Sequence, residues 1–152
     1  MLLFKRILFP VDLTEVCRKV VPYVGVVSKA FGAEVDVLFV AHAMKYYENI
    51  YVPPVSTRAF EEEVVRGAQK RLDEFVKEIQ GDLRVDRAEV RVGDAAEEII
   101  RYVSEEGVDL VVLGTHGRKN LQKILMGSVA DYVVKMSSAP VLTVNPYRAA
   151  SR

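Results

Sequence analysis

The sequence predicts an α/β domain: a parallel sheet with helices on both faces. Two observations carry that prediction. Five short apolar runs alternate with stretches whose apolar residues recur every three or four positions, giving the order β-α-β-α-β-α-β-α-β. Right-handed crossovers between successive parallel strands then put helices on both faces. Several of the runs also lack polar alternation, as strands covered on both sides do.

The first strand is read at Ile7–Val11, directly after Lys5 and Arg6. A helix is expected from Thr14 to Phe31, with Val16, Val20, Val24, Val27 and Phe31 on one stripe, a kink at Pro22 and an end at Gly32. Val35–Val40 is the second strand. The segment Met44–Arg58, with Tyr46, Tyr47, Tyr51, Pro53 and Pro54, fits neither period and is read as a long loop. Phe60, Val64, Ala68, Leu72, Phe75 and Ile79 mark the next helix, on which Glu62–Arg66 and Asp73–Lys77 stand at i,i+4. Glu61–Glu63 reads as its solvated start. Ala88–Val92 alternates with period two and suits a strand near an edge. Asp94 and Glu97 form a capping box before a helix with Ile99, Ile100 and Val103 inward. Val108–Leu113 is the fourth strand, Ser128 is read as the N-cap of the last helix, and Val141–Val144 is the fifth strand. The domain is read as 1–146, with 147–152 as a C-terminal tail.

The chain has 152 residues, with 21 Lys+Arg against 21 Asp+Glu, so the balance gives no electrostatic footprint for nucleic acid or for an anionic membrane. Hydrophobic residues make up 50% and charged residues 28%, a globular composition. One cysteine, Cys17, excludes an internal disulfide, and 2 histidines leave little for a zinc site. Val20–Val27, the longest run without a polar residue, contains Pro22 and Gly25 and falls well short of the roughly 20 apolar residues a spanning helix needs. The apolar stretch after Arg6 stops at Asp12, too soon for a signal peptide. The expectation is a cytoplasmic domain.

Ligands of open α/β sheets bind beyond the carboxyl ends of the strands. Those ends are Pro10-Val11-Asp12, Val40-Ala41-His42 and Gly114-Thr115-His116-Gly117. Gly114 and Gly117 allow a close backbone approach, and Gly127-Ser128 puts free N–H groups at a helix N-terminus, which suits a phosphate. Arg118 and Lys119 add cations. Turn glycines and a capping serine would also satisfy these positions.

The spacing Gly114-x2-Gly117-x9-Gly127-Ser128 resembles the nucleotide-binding signature of the universal stress protein family, and chance supplies such spacing in about one chain of this length in 170. Lys5–Asp12, Gly93-Asp94, Gly127–Asp131 and Ala139–Val144 also resemble that family, so the likeness runs through the whole chain. The resemblance implies a Rossmann-like five-stranded parallel sheet in the order 3-2-1-4-5 and a homodimer. It implies that adenine and ribose lie near Pro10, Val11, Asp12 and Val40, and phosphates near Gly114, Thr115, Gly117, Arg118, Gly127, Ser128 and Val129. ATP or another adenine nucleotide, with Mg²⁺ or Mn²⁺ carried on its phosphates and Asp12 as the candidate carboxylate, would be the ligand. Asn120 stands where many members have Gly, and Thr14 where Ser is commoner.

The expected function is an ATP-binding regulatory dimer paired through 141–144, with a signalling partner the sequence does not name. A slow ATP hydrolase is the alternative; no Walker-type Gly-x4-Gly-Lys-[Ser/Thr] and no evident general base accompany the loop. A protein-interaction domain with vestigial glycines is the third reading. His116 is read as an exposed loop histidine, His42 as structural or loop-lining, and Cys17 as a buried small hydrophobe. The tyrosines at 46, 47 and 51 stand as an adenine lid or as packing.

Overall fold

A computed structural model describes residues 4–42, 54–116 and 126–148. The tyrosines at 46, 47 and 51, and Gly117, Arg118, Lys119 and Asn120, lie outside the described residues. The elements are β1 (Arg6–Val11), α1 (Glu15–Arg18), α2 (Val21–Phe31), β2 (Glu34–Ala41), α3 (Pro54–Ile79), β3 (Arg87–Val92), α4 (Ala95–Glu106), β4 (Leu110–Gly114), α5 (Ser128–Met136) and β5 (Val141–Val144). All strands pair in parallel, in the order β3-β2-β1-β4-β5. This is the Rossmann-like sheet expected, with β3 at one edge.

Strand alternation sorts the core into two layers. Ile7, Phe9, Val11, Val35, Val37 and Val112 face one side, where Val20, Val24, Leu72, Phe75 and Ile79 of the first three helices and their joints cover them. Leu8, Leu38, Val40, Val111 and Leu113 face the other, under Ile99, Tyr102 and Val103 of α4 and Ala130 and Val133 of α5. Each fully buried Leu or Phe contributes about 1.5–3 kcal/mol by leaving water.

Several local expectations are corrected. The stretch 14–31 is two helices, not one kinked helix: Pro22 lies in the first turn of α2, where its missing N–H has no intrahelical acceptor to lose. Gly32 does close α2, in a left-handed conformation with φ 63°. Likewise α3 begins at Pro54, so 54–58 is helix rather than loop and Glu61–Glu63 sits inside the helix instead of at its start. Glu62 pairs with Arg58, and Asp73 accepts from Gln69 at 2.9 Å, in place of the pairs expected with Arg66 and Lys77. Asp94 caps α4, its Oδ1 accepting from Glu97 N at 3.0 Å.

The β1–β4 pairing fixes where the sheet opens. Its register joins Ile7 to Leu110 and Leu8 to Val111 and goes no further, although β1 continues to Val11 and β4 to Gly114. Pro10 supplies the reason. The Lys5 carbonyl accepts from Glu34 on the β2 side and the Arg6 carbonyl from Asp109 on the β4 side, so even-numbered residues of β1 turn their backbone groups toward β4. Pro10 is even-numbered and has no N–H to give, so the ladder stops there. β1 and β4 are also the strands between which the strand order reverses. A ligand crevice is expected at such a switch point, and the break in the ladder there traces to one residue.

Candidate functional site

Asp12 follows β1 directly. Its Oδ1 accepts from Thr14 N at 3.0 Å and from Thr14 Oγ1 at 2.6 Å, while Thr14 Oγ1 in turn accepts from Cys17 N at 3.4 Å as the N-cap of α1. Asp12 therefore holds the capping residue and is not itself the cap. Between them Leu13 has φ 61°, a left-handed conformation uncommon for leucine. The Asp12 bonds and the packing of Leu13 on the first core cluster offset that strain. Strained residues of this kind collect at functional sites.

Val11 belongs to the first core cluster and Val40 to the second, so their side chains lie on opposite faces of the sheet. What they share toward a ligand at the strand ends is backbone. Pro10, directly before Val11, is half-buried and stands opposite Leu38 of β2.

The end of β4 is joined to the start of α5 by backbone. Thr115 N donates to the Val144 carbonyl at 2.9 Å, and the Thr115 carbonyl accepts from Gly127 N at 2.6 Å. A Cβ on Gly127 would stand 3.2 Å from the Thr115 carbonyl oxygen, and one on Gly114 would stand 3.2 Å from Val20 Cγ2 and 3.3 Å from the His116 carbonyl oxygen. Close approach, rather than backbone conformation, is why these two are glycine: Gly127 has φ −60° and ψ 152°, open to any residue.

Gly127 is the N-cap of α5, and among the described residues no side chain hydrogen-bonds to its first-turn amides. The expected cap at Ser128 is thereby corrected: Ser128 is the first helical residue and is exposed. The physical reason is the short Gly127–Thr115 contact, which takes the chain into the helix one residue earlier. The first-turn N–H groups of Ser128, Val129 and Ala130 precede the first intrahelical bond, which runs from Asp131 N to the Gly127 carbonyl at 2.9 Å. Asp131 is occupied by Lys135 at 2.8 Å.

His116 is not the exposed loop residue expected. It is 6% exposed; its Nδ1 lies 2.7 Å from Thr115 Oγ1, its Nε2 is buried with no hydrogen-bond partner among the described residues, and its ring meets Tyr147 edge-on at 5.2 Å. Lys19 Nζ stands 5.9 Å from the same tyrosine ring. Neither Tyr147 nor Lys19 was legible as part of this neighbourhood, because their contacts are long-range and belong to no motif. His42 is exposed at the end of β2. Cys17 is buried, as expected; burial first and the Asp12 charge second push its thiol up to about 12. Gly117 and Arg118 fall outside the described residues.

The model of the universal stress protein family matches residues 3–145. This chain belongs to the universal stress protein family. It is 29% identical over 154 residues to universal stress protein MJ0577 of Methanocaldococcus jannaschii, an alignment spanning 93% of this chain and 95% of the relative. The solved structure of MJ0577 matches with a TM-score of 0.79 at 28% identity, over 95% of this chain and 97% of that one.

Other solved family members share the fold at lower identity, and some hold nucleotides. One is a universal stress protein in complex with cAMP, with TM-score 0.60 and 20% identity over 95% of this chain and 99% of that one. A family protein from Arabidopsis thaliana with AMP bound gives 0.63 at 18%, over 93% and 91%. The universal stress protein of Archaeoglobus fulgidus in complex with dAMP gives 0.63 at 16%, over 95% and 100%. Among the described residues no helix is long and apolar enough to cross a membrane, and no group of three or more His, Cys, Asp or Glu could hold a metal ion.

Proposed function

We propose that this universal stress protein binds ATP or another adenine nucleotide in the crevice between β1 and β4 and acts as a nucleotide-dependent regulatory module. The observation that carries the reading is the joint between Thr115 and Gly127. It presents the uncapped first turn of α5, with its partial positive charge, beside the strand ends at which Pro10 stops the ladder. In this proposal phosphates lie against Gly114, Thr115, Gly127, Ser128 and Val129, with Gly117 and Arg118 contributing as the signature implies. The adenosine moiety lies over Pro10, Val11, Asp12 and Val40. The family members solved with cAMP, AMP and dAMP support adenine as the base.

A divalent cation fits as a companion of the phosphates rather than as a resident ion. Of the two carboxylates near the described site, Asp131 is engaged by Lys135, and Asp12 already spends Oδ1 on two bonds from Thr14, so Asp12 suits contact with the water shell of Mg²⁺ or Mn²⁺. The cation would screen phosphate charge, and Asp12 would orient its waters.

The same proposal includes a homodimer through β5. The other edge strand, β3, carries Arg87, Glu89 and Arg91, which blunt it against pairing. β5 carries no charge, and Leu142 is 39% exposed. Tyr132 and Met136 of α5 add exposed apolar surface. Isologous pairing about a two-fold axis would cover that edge.

The test is to denature the purified protein and weigh the small molecule released. An adenine nucleotide is expected, and added ATP should be converted to ADP more slowly than about 1 s⁻¹, the low end of ordinary turnover. A protein that carries no nucleotide and binds none when it is added would overturn the reading. Faster turnover would favour the hydrolase alternative.

A further inference from the structure

We propose that His116 and Tyr147 form a latch that positions the phosphate-facing end of the site, with Tyr147 as a positioning residue lying outside the glycine signature. The proposal rests on the nucleotide-binding reading above.

Three contacts converge on two neighbouring residues. Thr115 bridges β5 and α5 through its N–H to Val144 and its carbonyl from Gly127. Its hydroxyl meets His116 Nδ1 at 2.7 Å, a bond whose donor depends on the imidazole tautomer. His116 in turn leans edge-on against Tyr147 at an interplanar angle of 74°. Tyr147 is itself fixed just beyond β5, its N–H donating to Asn145 Oδ1 at 3.0 Å and its ring facing Lys19.

The buried Nε2 of His116 gives the latch its direction. A ring nitrogen with no partner among the described residues is costly to keep from water, so the described hydrogen bonds do not by themselves explain the burial of this imidazole. Packing against Tyr147 and the bond to Thr115 hold it in place. Without the Tyr147 ring, the imidazole gains by turning toward water, and it draws Thr115 with it. The Thr115 carbonyl then leaves Gly127 N, and the first-turn amides of α5 lose their aim. Among the described residues Asp12 bonds to Thr14, and no hydrogen bond joins either of them to Thr115 or His116, so recognition of the adenosine moiety is expected to stay intact.

The experiment compares ATP with adenosine, each titrated calorimetrically into nucleotide-free wild-type, Tyr147→Ala and Tyr147→Phe protein. Tyr147→Ala should weaken ATP about tenfold or more, the scale of one lost charge-assisted hydrogen bond, while adenosine affinity stays within about twofold. Tyr147→Phe keeps the ring that meets His116 and should recover most of the ATP affinity that Tyr147→Ala loses. An independent readout is modification by diethyl pyrocarbonate, since the chain has 2 histidines. Native wild type should take one adduct, on exposed His42, and Tyr147→Ala should take two. Equal loss of ATP and adenosine, or wild-type ATP affinity in Tyr147→Ala, would overturn the latch while leaving the nucleotide reading standing. Wild-type protein that binds neither ligand would overturn both.

Discussion

Replacing Gly127 with alanine separates folding from ligand binding at the one point where both depend on the same atoms. The new Cβ would stand 3.2 Å from the Thr115 carbonyl oxygen, so that oxygen must give way by a few tenths of an ångström. No backbone strain accompanies the change, because φ −60° and ψ 152° suit alanine. The cost is a weakened Gly127–Thr115 bond, about 0.5–1.5 kcal/mol for an ordinary hydrogen bond. Alanine returns about 0.4–1 kcal/mol by restricting the unfolded chain. The net destabilisation is therefore under about 1 kcal/mol, which at this size moves Tm by no more than about 2–4 °C. Binding has no such compensation. Losing one hydrogen bond to a charged phosphate is worth about 1.5–3 kcal/mol, or roughly ten- to a hundredfold in Kd. Thermal melting by circular dichroism and ATP titration by calorimetry measure the two effects separately. Gly127→Val, with its branched Cβ, should abolish binding. Unchanged melting together with unchanged ATP affinity in Gly127→Ala would refute the phosphate site.

Ser128→Ala should leave Tm within about 1 °C of wild type, since its hydroxyl caps nothing, yet weaken ATP several-fold by calorimetry; a fall in Tm with intact affinity would contradict both halves. Leu142→Lys should shift the chain from dimer toward monomer at tens of micromolar by light scattering, and a wild-type monomer under those conditions would remove β5 as the interface. Cys17 carries a pH signature. Its folded thiol titrates near 12 and its unfolded thiol near 9, so the stability it contributes is complete below about pH 9 and falls as pH rises toward 12. The slope is at most about 1.4 kcal/mol per pH unit, and urea titrations of wild type and Cys17→Ala should converge in that window by this amount. Parallel denaturation curves across it would show that the thiol does not carry this linkage.

The central strands are legible because burial on both faces writes near-continuous apolar runs, as in β1 and β2, while β5, a partly exposed edge strand, is read to the residue at Val141–Val144 from its apolar run after Pro140. The sheet order was not legible from periodicity, since apolar runs do not say which strands are neighbours; the family resemblance supplied it. Prolines misled twice for one reason. Pro22 and Pro54 look like breakers in sequence, but each occupies a first helical turn, where its missing donor costs nothing. At the candidate site, the glycine spacing pointed to Gly114 and Gly127, and both are sites of close backbone approach. The cap at Ser128 was misplaced by one residue because the Thr115–Gly127 bond that sets it joins segments far apart in the chain. The burial of His116 failed for a similar reason, since Tyr147 covers it from beyond β5 and no local pattern records that contact.

The central claim is that the crevice at β1 and β4 holds an adenine nucleotide by its phosphates at the start of α5. Calorimetric titration of Mg-ATP into nucleotide-stripped wild-type protein, run beside Gly127→Val, tests it most directly. The account predicts saturable binding at one site per chain in the wild type and none in a Gly127→Val protein of wild-type circular dichroism. No binding by the wild type, or equal binding by both, would contradict it.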